Sequence, residues 1–222
     1  MSEQKPKKPI MIISLDTETG GFNAEVNALM TVGLATLELE DANDLSKIKK
    51  KEWKISNSYI VVEKTPNVTT KNPCYVEKEA LDCNKLNTYE LETNGTPIKE
   101  VESDLCEYLS KLTSKFRVHL LGQNLKFDLG FVAKNMPTFY DKLNGLTTHH
   151  ELRTLSTAFN MTQHADDGDL LAELYSKSTS MDNMRKILKI KSDGQTHSAA
   201  VDAEDNIKVF ITLLNKFEMM NY

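Results

Sequence analysis

Cysteine is scarce in this 222-residue chain: Cys74, Cys83 and Cys106 are the three present. An odd number with no C-x-x-C spacing argues against both a disulfide framework and a structural zinc site. Reduced thiols fit a reducing compartment. Long hydrophobic runs are missing as well, which excludes a membrane-spanning helix. Residues 1–8 are polar and rich in lysine, without the apolar core of a signal peptide. We expect a basic, flexible tail over 1–9 ahead of one folded unit over 10–222, in the cytoplasm. Positive charge is not in excess: 27 Lys and Arg face 32 Asp and Glu, for a net charge of −5. That balance argues against a protein that coats duplex DNA by broad charge attraction. It leaves open a site built from carboxylates, where bound cations reverse the local sign.

What is present is patterned. Residues 10–15 (IMIISL) form a short, nearly continuous apolar run, as expected of a buried strand. Gly20 and Gly21 then break the pattern. Residues 29–39 and 53–62 read as a second and a third strand, with a charged hairpin at 40–51 between them. Residues 65–94 read as an irregular connector with one short helix near 76–86. Ile98, Val101, Leu105, Leu109 and Leu112 recur at helical spacing, with Pro97 suited to the first turn. Residues 118–122 read as a fourth strand. A helix over 127–135 should stop before Pro137. The stretch 143–190 has helical character with a polar break at 163–169, and a final helix runs over 198–217. One α/β domain with a mixed sheet fits this order.

Three pieces carry chemistry. Asp16 and Glu18 lie two apart at the end of the first strand, so both carboxylates project from one face. Unpaired, they repel, and a divalent cation removes the conflict. Oxygen ligands suit Mg²⁺ or Mn²⁺. Taken alone, an Asp-x-Glu is more often a turn residue beside a solvated glutamate. The second piece, Asn124-Leu125-Lys126-Phe127-Asp128, follows the fourth strand and puts Asp128 near a helix start, where an anion is stabilised. The third, His197-Ser198-Ala199-Ala200-Val201-Asp202, opens the final helix. Asp202 lies five residues beyond His197, more than one turn of about 3.6 residues. His197 by itself reads equally as a helix-cap histidine. Together the pieces sit at a strand end, a strand-to-helix turn and a loop-to-helix turn, where functional groups converge in α/β sheets. Four carboxylates and one histidine are the inventory of two-metal phosphodiester hydrolysis.

In Leu15-Asp16-Thr17-Glu18-Thr19-Gly20, Asn124-x-x-Phe127-Asp128 and His197-x-x-x-x-Asp202 the chain resembles the DnaQ-like, or DEDDh, 3′–5′ exonucleases. The order of elements between these motifs extends the resemblance over about residues 10–217. It implies a ribonuclease H-like fold whose first three strands are antiparallel and whose mixed sheet is flanked by helices. It also implies that Asp16, Glu18, Asp128 and Asp202 bind two Mg²⁺ or Mn²⁺ ions and that His197 is the general base. The substrate implied is single-stranded nucleic acid with a free 3′ end, released as nucleoside 5′-monophosphates, and a replication or repair protein is an implied partner. Thr17, Thr19, Gly20 and Phe22 would cradle the terminal nucleotide, and Asn124 and Phe127 would shape its pocket. Lys126, Lys186, Lys189 and Lys191 are candidate phosphate contacts. Three features depart from the commoner pattern: Gln123 replaces a histidine, Gly21 follows Gly20 where a threonine-glycine pair is frequent, and Arg153-Thr154-Leu155 stands near a usual aspartate-threonine-leucine. The lysine- and asparagine-rich composition resembles phage-encoded exonucleases.

Two other readings stand beside this one. An RNA trimmer would share every motif, and only activity on matched DNA and RNA would separate it. A nuclease-fold binding or polymerase accessory module would have no need to hold two cations, so metal titration would expose it. A simple structural cation site would leave His197 without a role.

Overall fold

The computed structural model describes residues 8–67, 74–162, 179–191 and 198–219. Its centre is a six-stranded sheet in the order β6-β3-β2-β1-β7-β8. Here β1 is Ile10–Thr19, β2 Leu29–Glu38, β3 Lys49–Ser56, β6 Thr96–Pro97, β7 Arg117–Gly122 and β8 His149–Glu151. β1, β2 and β3 form an antiparallel meander, and β7 and β8 extend it in parallel. β4 (Ile60–Val62) and β5 (Tyr75–Glu77) make a separate two-stranded parallel ribbon.

Helices cover both faces of the sheet, which is why residues 10–15 read as nearly continuous rather than alternating. Met11, Ile13 and Leu15 point to one face, against α3 (Ile98–Lys115), α4 (Leu125–Asn135) and α5 (Pro137–Asn144). Ile12 points to the other, with Ala35 and Leu37, against α6 (Leu152–Thr162), α7 (Met181–Leu188) and α8 (Ala199–Met219). A smaller cluster of Ala28, Met30, Val76 and Leu91 joins the sheet to α1 (Lys78–Asn84) and α2 (Thr88–Asn94) through β5.

The mixed α/β sheet with its antiparallel meander agrees with the sequence reading, and several boundaries differ. β3 begins at Lys49, inside the expected charged hairpin, and Ile60–Val62 belongs to the separate ribbon. Three consecutive lysines masked β3's start. Among the described residues no strand pairs with the outer side of β3 along 49–54, and lysines on an open edge deter pairing with other chains. The Lys51 ammonium also lies 4.3 Å from the Trp53 ring centroid, so its charge does not oppose strand formation there. β8 was hidden in the stretch read as helical, because three residues with two histidines show no strand period. α4 ends at Asn135, and Pro137 starts α5 at its first turn. The polar break at 163–169 lies outside the described residues.

One glycine fixes how α8 meets the sheet. Gly33 pairs with Asp16 on β1 and with Glu52 on β3, so the three residues form a row across the sheet on the α8 face. A Cβ at Gly33 would overlap the backbone of Ala199 and Ala200. The first turn of α8 therefore rests directly on strand backbone. Gly33→Ala is expected to cost about 1–3 kcal/mol by overpacking, read as a lower urea midpoint at unchanged m-value. An unaltered midpoint would show that α8 does not sit this closely.

Candidate active site

The carboxyl end of β1 lies between α8 on one face and α4 on the other. Asp16 and Glu18, two apart, share the α8 face. Asp202, in the first turn of α8, joins them. One ligand oxygen from each of Asp16, Glu18 and Asp202 falls within 4.8 Å of the others. Thr17, between the two, points to the opposite face, and its hydroxyl donates to Asp128 Oδ1 at 2.7 Å. Asp128 is buried in the first turn of α4. Its charge still reaches Asp16 and Glu18.

Burial and mutual repulsion set the protonation of these groups. Asp16 is held well above the usual carboxylate range, first by burial and then by the charges of Asp128, Asp202, Glu18 and Glu52. Glu18 is pushed to about 8 by burial, with Asp202, Glu52 and Asp128 adding to it. Burial takes Asp128 to about 7, against the Thr17 hydrogen bond, which pulls it down. Crowded carboxylates that resist ionisation are the chemistry a divalent cation reverses. Their hard oxygen donors fit Mg²⁺ or Mn²⁺.

Beside the carboxylates lies a pocket of about 300 Å³ lined by residues that include Thr17, Glu18, Thr19, Gly21, Phe22 and Phe127. Its floor is the β1–β2 turn. The Thr19 hydroxyl donates to the Gly21 carbonyl at 2.7 Å, and the Gly20 carbonyl accepts from Glu77 N–H at 2.7 Å. A side chain at Gly20 would press on Tyr75 and Val76 backbone. Phe22 is 91% exposed, with its ring edge-on to Phe127 at 6.2 Å between centroids. Phe127 is anchored in turn on Phe131 at 5.1 Å. Asn124 adopts the left-handed conformation, φ 58°, at the turn into α4.

The structure thus brings together Asp16, Glu18 and Asp202, and it places Thr17, Thr19, Phe22 and Phe127 around the adjoining pocket, whereas Gly20 is buried beside it and Asn124 is not among its lining residues. Asp128 stands behind Thr17, outside the tight cluster. His197 lies outside the described residues. Lys126, Lys186, Lys189 and Lys191 are all exposed.

Four features escaped the sequence reading. The far wall of the pocket comes from the connector, through Glu77, Glu79, Ala80, Cys83 and Asn84. Asn84 donates to the Thr19 carbonyl at 3.3 Å, tying that wall to β1. Glu151, at the end of β8, accepts from the backbone N–H of Asn124 and Leu125, both at 2.8 Å, and so pins the turn that carries Asp128. Arg185 is buried on α7, pairs with Asp205 and Asp182, and lies 3.5 Å from Asp202. A signal for Arg185 existed: it is spaced four from Met181 and three from Leu188, on the apolar face of its helix. Glu52 on β3 faces the start of α8.

No family model matches the sequence, and no curated protein matches it. Solved structures do match in fold. E. coli exonuclease I in complex with a dT13 oligonucleotide superposes with a TM-score of 0.67 at 11% identity, over 95% of this chain and 42% of that one. Exonuclease I from Methylocaldum szegediense gives 0.67 at 12% identity, over 93% of this chain and 41% of that one. A product-bound exonuclease I gives 0.66 at 10% identity, over 97% and 46%. The chain therefore spans less than half the length of these neighbours. The chain shares its fold with these structures. The organisms named lend no support to a phage source. Among the described residues no helix is long and apolar enough to cross a membrane.

The raised carboxylates make stability depend on pH. Glu18 moves from an ordinary 4.5 to about 8 on folding, so between those values the folded chain holds more protons than the unfolded one. Its folded pKa lies above its unfolded pKa, so stability is greatest below about 4.5 and falls as pH rises through 8. Asp16 and Asp128 act in the same direction. His119 and His150 are pushed down by burial and act the opposite way. The difference in Tm with and without saturating Mg²⁺ isolates the carboxylates, and it should widen from pH 5 to pH 8. A difference that stays constant would mean that these carboxylates hold no cation.

Proposed function

We propose that this chain is a divalent-metal-dependent 3′–5′ exonuclease that removes nucleotides from single-stranded DNA. The observation that carries the reading is the convergence of Asp16, Glu18 and Asp202 within 4.8 Å beside a nucleotide-sized pocket. Residues 10–222 would form the nuclease unit, working in the cytoplasm. Asp16, Glu18, Asp202 and, behind Thr17, Asp128 would hold two Mg²⁺ or Mn²⁺. Such cations supply a water acidic enough to attack near neutral pH and offset charge on the phosphate.

The remaining work falls to the chain's own groups. Phe22 offers an exposed aromatic face to an unpaired base, which every base accepts, so grip would be independent of sequence. Phe127 holds that ring in place from behind. Thr17 and Thr19 would shape the floor, with Gly20 holding the turn beneath them and Asn124 setting the turn into α4. His197, just ahead of α8, would take the proton from the attacking water; an imidazole with a pKa near 6.5 can serve at neutral pH. DNA is preferred over RNA because the exonuclease I neighbours are in complex with dT13 and dA16 oligonucleotides.

The test is degradation of 5′-labelled single-stranded DNA and RNA of one sequence, in Mg²⁺ or Mn²⁺, with chelator as control. The expected result is a ladder shortening from the 3′ end, faster on DNA and abolished by chelator. His197→Ala should lose about 10²–10⁴ in rate and keep its fold, and Asp16→Ala should lose more. Absence of shortening in both metals would leave a cation-binding module without nuclease activity. A wild-type rate in His197→Ala would remove the histidine from the mechanism.

A further inference from the structure

We propose that Glu52 is a positioning residue that fastens the first turn of α8 to the sheet and thereby sets Asp202 against Asp16 and Glu18. The inference rests on the proposed metal site and adds to it a residue outside the acidic motifs.

The geometry is a short relay. Glu52 Oε1 accepts from the Ser198 hydroxyl at 3.1 Å and from the Ala200 backbone N–H at 3.4 Å. The Ser198 carbonyl in turn accepts from the Asp202 N–H at 2.9 Å. Ser198 thus links the strand carboxylate to the backbone of Asp202 within one helical turn. The exchange of roles at Ser198 is informative. A serine ahead of a helix ordinarily turns its oxygen back to accept a backbone N–H of its own first turn. Here Ser198 donates outward to β3, and the carboxylate of Glu52 takes over the Ala200 N–H. A negative group at this place is also favoured by the helix dipole. The seat is unusually close, because Gly33, Glu52's partner on β2, has no side chain under Ala199. Backbone contact fixes the height of α8 above the sheet, and Glu52 fixes its slide along the row.

Charge alone would argue against a glutamate here. Glu52 raises the proton affinity of both Asp16 and Glu18, so it adds to the repulsion that the fold must contain. A group present only for packing would avoid that cost. Its two accepted hydrogen bonds account for its place, and an amide could make them without the charge. Gln and Ala substitutions therefore separate the two roles.

Two measurements on the full chain test this. Amide exchange over residues 198–205, followed by mass spectrometry without metal or nucleic acid, reads the helix start directly. Glu52→Ala should exchange at least about tenfold faster there, and Glu52→Gln should match the wild type. Mn²⁺ affinity by calorimetry reads the consequence. Glu52→Ala should bind roughly 10–100-fold more weakly, the usual effect of losing a group that orients a ligand, and Glu52→Gln within about threefold of wild type. Unchanged exchange in Glu52→Ala overturns the proposal, and so does a Glu52→Gln variant as impaired as the alanine. If Glu52→Ala does not fold, Ser198→Ala decides: faster exchange at the helix start supports the relay, and wild-type exchange overturns it. A wild type that binds Mn²⁺ and degrades nothing would defeat the exonuclease reading alone, and the exchange result would stand.

Discussion

Repulsion among Asp16, Glu18 and Asp202 is the constraint around which this structure is arranged. Three carboxylates within 4.8 Å, with Asp128 and Glu52 near enough to add to the field, oppose the approach of α8 to the sheet. Something must hold the helix down. Apolar burial does most of it: Ala203, Ile207, Phe210 and Leu213 pack into the core shared with Ile12, Ala35 and Leu37. At the acidic end the apolar surface is small, from Ala199, Ala200 and Val201, and polar contacts add to it. The backbone seat on Gly33 and the Glu52 hydrogen bonds act there.

The same end of α8 is surrounded by cations. Arg185 comes from α7 to pair with the fully buried Asp205 and approach Asp202. Lys50, from β3, and Lys208, one turn along the helix, both pair with Glu204. Buried pairs of this kind add little net stability, since desolvation offsets much of their attraction. Their effect is directional. Lys50 and Lys208 neutralise Glu204, and Arg185 neutralises Asp205 while also lying within ion-pair distance of Asp202, so Asp16 and Glu18 keep the larger share of uncompensated charge. An overall net charge of −5 is compatible with the proposed site, which would take up cations before a polyanion.

How much of this was legible in sequence depends on the kind of signal. Strand-end carboxylates two apart have a fixed consequence, because strand periodicity puts them on one face, and Asp16 and Glu18 are so placed. The sheet's meander and most of its helices follow from apolar spacing. Asp202 could be put on the last helix, but its distance from β1 depends on Gly33, whose role is visible only once β2 lies under Ala199. The pocket's far wall was illegible for another reason. Residues 75–84 show no strong period, and they gain structure by hydrogen bonds to the turn after β1 and the start of β2: the Glu77 N–H donates to the Gly20 carbonyl, and the Tyr75 carbonyl accepts from the Ala28 N–H. Glu52 was obscured by its neighbours: in KKKEWK a glutamate reads as one more solvated charge.

The alternation of β1 also divides labour within the site. Odd and even positions face different helices, so the strand that presents Asp16 and Glu18 to α8 presents Thr17 to α4. Thr17 holds Asp128 by its hydroxyl, and Glu151 holds the turn from which α4 starts. Asp128 is thus locked from two sides on the face opposite Asp202. A single strand edge carries both arrangements at a fixed offset, because neither side chain can move to the other face without a shift in register. Register is secured by nine paired positions between β1 and β2, broken only by a shift between Glu18 and Thr19. That irregularity falls where the carboxylates end and the pocket floor begins. The strand is regular as far as it must align charges, and it departs from regularity where it must turn to form a cavity.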